Sequence, residues 1–500
     1  MQSQNKFPSE ATGAGAKDER RHGMYEFDDC GSNQLEPFEP PPMREMVEVE
    51  FNKDARSGVE DWDFDKDEPS KVFPCEWQSD SDLIKILEKY KFVSWKPSFR
   101  KRYRWSHGCS EELDESYKKA GRDRFVTLKF AESAEVLKIA KELSGLPEIA
   151  RAVAVPQIAP PSPPLDEPFA GTSDQVEHSC DDYGCLSKQW YLFRCGVPEA
   201  WAQGASGHGV VIAAIDWGFD LNHPDLSHTA LSQNVMRNLP NVADGNLLWH
   251  GNGVLGLAGA AANGEGMAGI AHGATLWAIQ AASSGLNRPV VDQDFWVEAI
   301  DFVRATPASG RKVIVLELQT ADFSNPEAIL TVRTAIAEAI REGIVVCVPA
   351  GNGNRFADAG VDDEGISFRG TDAIVVGATR FDPETNPIAA GTNGGDRVTV
   401  YAPGDSDVDL TCGLRGGYRD NFGGTSGATA KVAGIVALML EVNNQLTPQQ
   451  VRDILRGSRN LVLGEAENPV GVLVDANQAV SAAIALRTTA AGTRMEREAA

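Results

Sequence analysis

The chain has 500 residues, 71 acidic and 47 basic, for a formal net charge of −24 at pH 7. That balance argues against a nucleic-acid or anionic-membrane partner and for high solubility. It contains no run of eighteen apolar residues, so no membrane span is expected, and its length implies two or three modules.

The N-terminus, Met1-Gln2-Ser3-Gln4-Asn5-Lys6-Phe7-Pro8, lacks a charged segment followed by an apolar one. No secretory signal is therefore expected, which points to the cytoplasm or to an unconventional export route. The eight cysteines are sparse, and only Cys180, Cys185 and Cys195 cluster. They lack a second pair at zinc spacing, so free thiols are expected.

Residues 1–68 read as a disordered or weakly ordered arm, because Pro40-Pro41-Pro42 and the acidic run at 61–65 can bury little. Residues 69–157 read as a small α+β module. Within it, 82–90 has helical spacing, 125–130 alternates like a strand, 133–143 is an amphipathic helix, and 149–155 is strand-like. Residues 158–186 form a linker stiffened by Pro160-Pro161-Ser162-Pro163-Pro164.

From 187 to 486 the pattern changes. Short continuous apolar runs at 210–215, 276–279, 313–316, 344–348 and 374–378 alternate with helical segments such as 295–303 and 328–340. This is the signature of an α/β fold with a parallel sheet covered by helices on both faces. Such sheets carry their sites at the C-terminal ends of the strands. Residues 487–500 read as a polar tail.

Chemistry gathers at those strand ends. Asp216 closes the first run, and alone it would read as a turn residue. His250 opens a helix of small residues, His250-Gly251-Asn252-Gly253-Val254. Asn352 follows another strand in Pro349-Ala350-Gly351-Asn352-Gly353. Ser426, in Gly424-Thr425-Ser426-Gly427-Ala428, sits at the start of a helix apolar on nearly every face. There, unpaired backbone N–H groups and the helix dipole favour developing negative charge.

Taken together, these four stretches resemble the subtilisin-like serine peptidases, the subtilases, over roughly residues 187–486. The order Asp, His, Ser is that of subtilisin. Asn263-Gly264-Glu265-Gly266-Met267, Val400-Tyr401-Ala402-Pro403-Gly404 and Val474-Asp475-Ala476 add further likeness. The resemblance implies a serine endopeptidase acting on peptide or protein substrates. It assigns Ser426 as nucleophile, His250 as general base, Asp216 as the group that orients it, and Asn352 as oxyanion donor. It implies a substrate strand beside Leu316, Glu317, Leu318 and Gln319, and no cofactor for the chemistry. It also implies a structural calcium ion using Asp225 and Asn263. The module at 69–157 resembles the family's N-terminal prodomain in position and pattern, so an intramolecular partner and self-cleavage between Pro156 and Ser187 are expected.

Several residues depart from the family pattern. Trp217 and Asn252 stand where Thr is usual, Ala430 where Pro is usual, and Glu317-Leu318-Gln319 where Ser-Leu-Gly is usual. Glu317 is expected either to favour a basic side chain near the cleavage point or to pair with a nearby Arg or Lys. The altered cleft leaves two other readings open: a binding or regulatory protein that no longer turns over, and a specialised maturation protease or transpeptidase.

Overall fold

The structure, a computed structural model, describes residues 43–55, 58, 69–74, 77, 81–99, 121–131, 135–159, 189–236, 247–264, 266–282, 292–321, 323–354, 370–380, 385–404, 409–420, 422–464 and 469–499. The readings for residues 1–42, for the acidic run at 61–65, for 160–164 and for Cys180 and Cys185 lie outside them.

The first module is built from β1 (Met43–Phe51), α1 (Asp82–Lys89), β2 (Phe92–Pro97), β3 (Phe125–Phe130), α2 (Val136–Ser144) and β4 (Ile149–Pro156). Its antiparallel sheet runs β2-β3-β1-β4, so β1 is an inner strand. A strand of this module therefore lies some 25 residues ahead of the expected boundary at 69. Val47, Val49 and Phe51 alternate into the core with Leu83, Leu87, Ile139 and Leu143. The acids between them are buried with partners. Glu50 pairs with Arg124 at 3.0 Å and Arg151 at 2.7 Å. Glu48 accepts from Thr331 N at 3.0 Å and Thr331 Oγ1 at 2.7 Å. The other expected elements form within a few residues of their expected bounds.

The chain continues through β5 (Ile158–Ala159), which belongs to no linker because it pairs with a later strand. The larger module then runs α3 (Trp190–Arg194), α4 (Val197–Ala202), β6 (Val210–Asp216), β7 (Thr229–Asn234), α5 (Leu248–Gly259), β8 (Thr275–Gln280), α6 (Gln293–Ala305), β9 (Arg311–Leu316), β10 (Gln319–Thr320) and α7 (Leu330–Arg341). It continues with β11 (Val345–Pro349), β12 (Ile374–Thr379), β13 (Val400–Pro403), β14 (Thr411–Cys412), β15 (Tyr418–Arg419), α8 (Gly424–Val442), α9 (Pro448–Arg456), β16 (Asn460–Leu463), β17 (Pro469–Leu473) and α10 (Ala476–Ala499). The backbone of the expected polar tail is thus helical as far as Ala499.

Among the described residues, nine strands form one sheet in the order β16-β17-β13-β12-β11-β9-β6-β8-β7, parallel except for β16 on β17. Every residue of β6 is buried, which is why it reads as a continuous apolar run. One core layer holds Val254, Leu257, Ile435 and Met439 of α5 and α8. The other holds Trp296 and Ile300 of α6 with Val332 and Ile336 of α7. Helix α8 is long and apolar enough to cross a membrane, yet it is mostly buried inside the protein. Cys195, Cys347 and Cys412 are buried free thiols.

The two modules belong to one compact unit, Glu39–Ala500. Phe99 and Phe125 of the first are buried in the core layer of α6 and α7. Arg122 reaches the same helices, donating to Glu338 Oε2 through Nε at 2.9 Å and to Asp301 Oδ1 through Nη2 at 2.7 Å. Lys96 pairs with Asp294.

Glu48 makes this docking sensitive to pH. Burial pushes its carboxyl up to about 7, although the Thr331 bonds pull the other way. A folded pKa above the unfolded one gives stability that is complete below the ordinary carboxylate range and is lost as pH rises through about 7. Between pH 5 and 8, the unfolding free energy from urea denaturation should fall less for Glu48→Gln than for the wild type. The difference should be on the order of 2–3 kcal/mol.

Candidate active site

Asp216 is the last residue of β6 and is fully buried. Its Oδ1 accepts from Trp217 N at 2.6 Å, and both carboxylate oxygens lie 2.9 Å from His250 Nδ1. His250 is brought there by the first turn of α5. Gly251 makes the approach possible: a Cβ on it would lie 2.2 Å from Gly218 O and 2.6 Å from the Phe219 ring. Gly253 plays the same part on the other side, where a Cβ would lie 2.5 Å from the Phe422 ring. Phe422 in turn packs on the His250 imidazole, centroids 5.4 Å apart.

Ser426 stands in the first turn of α8, part-exposed between the buried Thr425 and Gly427. Gly424 holds the preceding turn with φ +63°, a conformation that favours glycine. Asn352 is brought to the same place from the end of β11. Its Oδ1 accepts from Thr425 N and Thr425 Oγ1, both at 3.0 Å, and its Nδ2 donates to Gln319 Oε1 at 3.2 Å. Thr425 is therefore an orienting residue that the sequence reading missed. Its only sequence signal was a hydroxyl beside the serine. Among the described residues, Ser426 and His250 share no hydrogen bond.

The substrate-strand residues divide into two kinds. Leu316 and Leu318 have their side chains in the core beside Trp296, so only their main chain can serve an edge. Gln319 and Thr320 present an edge that is already taken. They pair antiparallel with Ala159 and Ile158, and Ala321 N donates to Gln157 O at 2.7 Å. Glu317 is 4 % exposed, and among the described residues no Arg or Lys pairs with it, contrary to one of its two expected roles. Its backbone N–H donates to Ile215 O at 3.0 Å. Neither oxygen of its carboxyl has a hydrogen-bond partner among the described residues. Burial, then the charge of Asp216, push that carboxyl well above the ordinary range, with Ser426 pulling it back.

The other departures have packing reasons. Trp217 is buried against Trp296, ring centroids 6.3 Å apart. Asn252 accepts from Asp220 N at 2.8 Å and donates to Asp220 O at 2.9 Å and Gly413 O at 2.7 Å, tying α5 to two loops. Ala430 is buried within α8.

Asp225 and Asn263 do come together, but as a satisfied pair. Asp225 Oδ1 accepts from Asn263 Nδ2 at 2.9 Å. Its Oδ2 accepts from Tyr418 OH at 2.8 Å and Met267 N at 3.2 Å. Calcium takes six to eight oxygen ligands, whereas hydrogen-bond donors converge on this carboxylate. The residues therefore do not fit calcium. Nearby His223 and Cys412 bring ligand atoms to within 4.8 Å of those of Asp225. Each already has a protein partner: His223 Nδ1 accepts from Asp225 N at 3.1 Å, its Nε2 meets Gly417 O at 2.8 Å, and Cys412 Sγ meets Met267 Sδ at 3.7 Å. Tyr418→Phe should leave Asp225, a buried acceptor, one donor short and lower stability by about 1–3 kcal/mol. Thermal unfolding of the variant beside the wild type, with and without added calcium, checks this; the loss should not be made good by the ion.

Residues 207–473 match the family model described as "Subtilase family", more than half of the chain. The chain belongs to the subtilase family. It is 30% identical to subtilisin E of Bacillus subtilis (strain 168) over 284 residues, covering 57% of this chain and 69% of that relative. It is 30% identical to an intracellular serine protease of Paenibacillus polymyxa over 254 residues, covering 49% of this chain and 71% of that one. Among solved structures it shares its fold with fervidolysin from Fervidobacterium pennivorans, at TM-score 0.55 and 21% identity, covering 89% of this chain and 62% of that one. The protein is a subtilisin-like serine peptidase.

Proposed function

We propose that the chain cleaves peptide bonds through Asp216, His250 and Ser426, and that its first module is an intramolecular prodomain. The observation that carries the mechanism is the contact of His250 Nδ1 with both oxygens of buried Asp216. With Nδ1–H donated to Asp216, the lone pair of Nε2 is left to take the Ser426 proton. Ser426 Oγ then attacks the substrate carbonyl. The oxyanion is received by Asn352 Nδ2 and by the Ser426 backbone N–H at the start of α8. Collapse expels the amine, which takes the proton back from His250. Water repeats the sequence to release the acid and restore Ser426. Thr425 supports this by holding the Asn352 carbonyl, so that the amide nitrogen faces the cleft beside Gln319.

The prodomain reading is supported by β5. A substrate bound as an added strand would lie along β10, and Ile158–Ala159 already holds that edge in antiparallel register. The direction of the pairing carries the chain toward Glu317, which supports self-cleavage within the expected interval between Pro156 and Ser187, on the C-terminal side of Ala159.

Mass spectrometry of freshly purified wild type beside Ser426→Ala tests both ideas. The wild type should lose an N-terminal fragment ending in that interval while the variant stays whole. An intact wild type that hydrolyses added peptides would sink the prodomain reading alone. In the mature enzyme, Asn352→Ala should lower kcat by roughly 10²–10³ with KM little changed, the size of effect that one side-chain oxyanion donor has in a subtilisin.

A further inference from the structure

Helix α8 is apolar on nearly every face, yet it carries Lys431, whose side chain has no exposure to water. The triad mechanism gives this cation no role. Its Nζ donates to Pro403 O, at the end of β13, at 2.8 Å and to Asp409 Oδ2 at 2.5 Å. It also lies 4.6 Å from the centre of the Tyr191 ring on α3, so all three ammonium N–H directions are accounted for. Asp409 is equally buried, and its other oxygen accepts from Trp190 Nε1 at 2.9 Å. A buried ion pair adds little net stability over apolar residues of the same volume, so stability alone does not account for this one. Its partners hold the approach to the serine. Gly404, next to Pro403, accepts through its carbonyl from Gly424 N at 2.8 Å, and a Cβ on Gly404 would lie 2.4 Å from Gly424 O. The Asp409 carbonyl accepts from Phe422 N at 3.4 Å. Gly424 makes the turn two residues ahead of Ser426, and Phe422 is the ring that packs on His250.

We propose that Lys431 is a positioning residue for the nucleophile and its base: it clamps Pro403 and Asp409 to α8, and through them fixes Gly424 and Phe422. This rests on Ser426 and His250 acting as the triad. Lys431 and Ser426 ride on the same helix. Tying Pro403 and Asp409 to Lys431 therefore holds the segment that leads into α8 against α8 itself. Gly424 then sets where Ser426 stands, and Phe422 sets the wall against which the His250 imidazole rests. Trp190 and Tyr191 complete the clamp from α3. They follow the interval in which self-cleavage is expected, so they stay with the catalytic module. Misplacing reacting groups by about 1 Å costs on the order of a hundredfold in rate. None of these bonds involves β10, so the clamp bears on the chemical step and leaves peptide binding alone.

The test compares kcat and KM for a chromogenic peptide, beside the melting midpoint, in the wild type, Lys431→Met, the double variant Lys431→Met with Asp409→Leu, and Asp409→Asn. Each preparation stands until its intact mass stops changing. Rates are taken per processed molecule, or per whole chain if the wild type itself stays whole. A cleaved first module still lying on β10 competes with the peptide, so it raises KM and leaves kcat alone. Lys431→Met strands the Asp409 charge and should lower both the melting midpoint and kcat. The double variant removes both charges, so its melting midpoint should return toward that of the wild type. Its kcat should stay down on the order of tenfold, with KM within about twofold, because the stretch from 403 to 409 is no longer tied to α8. A purely structural role would bring kcat back with the melting midpoint. That result overturns the inference and leaves the protease reading intact. If neither Lys431 variant folds, Asp409→Asn keeps an acceptor for Trp190 and Lys431 but gives up the charge-assisted bond. Its kcat should then fall several-fold at unchanged KM, and a wild-type kcat overturns the inference. A wild type that neither cleaves itself nor hydrolyses peptide overturns the protease reading and the inference with it.

Discussion

A carboxylate with no exposure to water stands at the end of an inner strand of a nine-stranded sheet, and much of the local architecture exists to keep it there. Ionised Asp216 is tolerable only if protein groups replace the water it has lost. Trp217 N supplies one hydrogen bond and His250 Nδ1 the principal one. To bring the imidazole that close, α5 must press against the loop that follows β6. Only a residue without a Cβ fits at 251. The far side of α5 must then meet Phe422 on the approach to α8, and again only glycine fits, at 253. One buried charge thus sets the spacing between the strand that carries the acid, the helix that carries the base and the helix that carries the serine.

A second constraint is the open edge at β10. An unpaired strand edge invites another strand, and here the chain supplies its own. What keeps β5 in place lies far from the edge. Arg122 is shared between Asp301 and Glu338, Glu48 sits at the N-terminus of α7, and Phe99 is sunk into the core layer of α6 and α7. Buried ion pairs add little net stability once desolvation is counted, but they penalise misplacement heavily. They fix where the first module sits, and with it the register of β5 on β10. The apolar contacts provide the attraction.

The larger module was legible because its physics is local. A strand buried on both faces must be apolar throughout, and the runs ending at Ile215, Leu316 and Val348 were found on that ground. The first strand of the small module was missed because its acids are paired with residues far away in sequence, on Arg124, Arg151 and Thr331. Glu317 escaped for the opposite reason. A cation partner was one of its two expected roles, and among the described residues neither of its carboxyl oxygens has a hydrogen-bond partner.

The sequence by itself determined the parallel α/β sheet, the strand ends as the seat of the chemistry, and the order of Asp216, His250 and Ser426. Strand periodicity, glycine placement and small-residue helices are written in adjacent residues. The tertiary structure alone decided that Asp225 is satisfied by Tyr418, Asn263 and Met267 and does not fit calcium. It alone showed that Thr425 orients Asn352 and that β5 occupies the β10 edge. Each of these is a meeting of groups from separate elements, and the partner of a polar group is set by packing in three dimensions, which neighbouring residues along the chain do not encode.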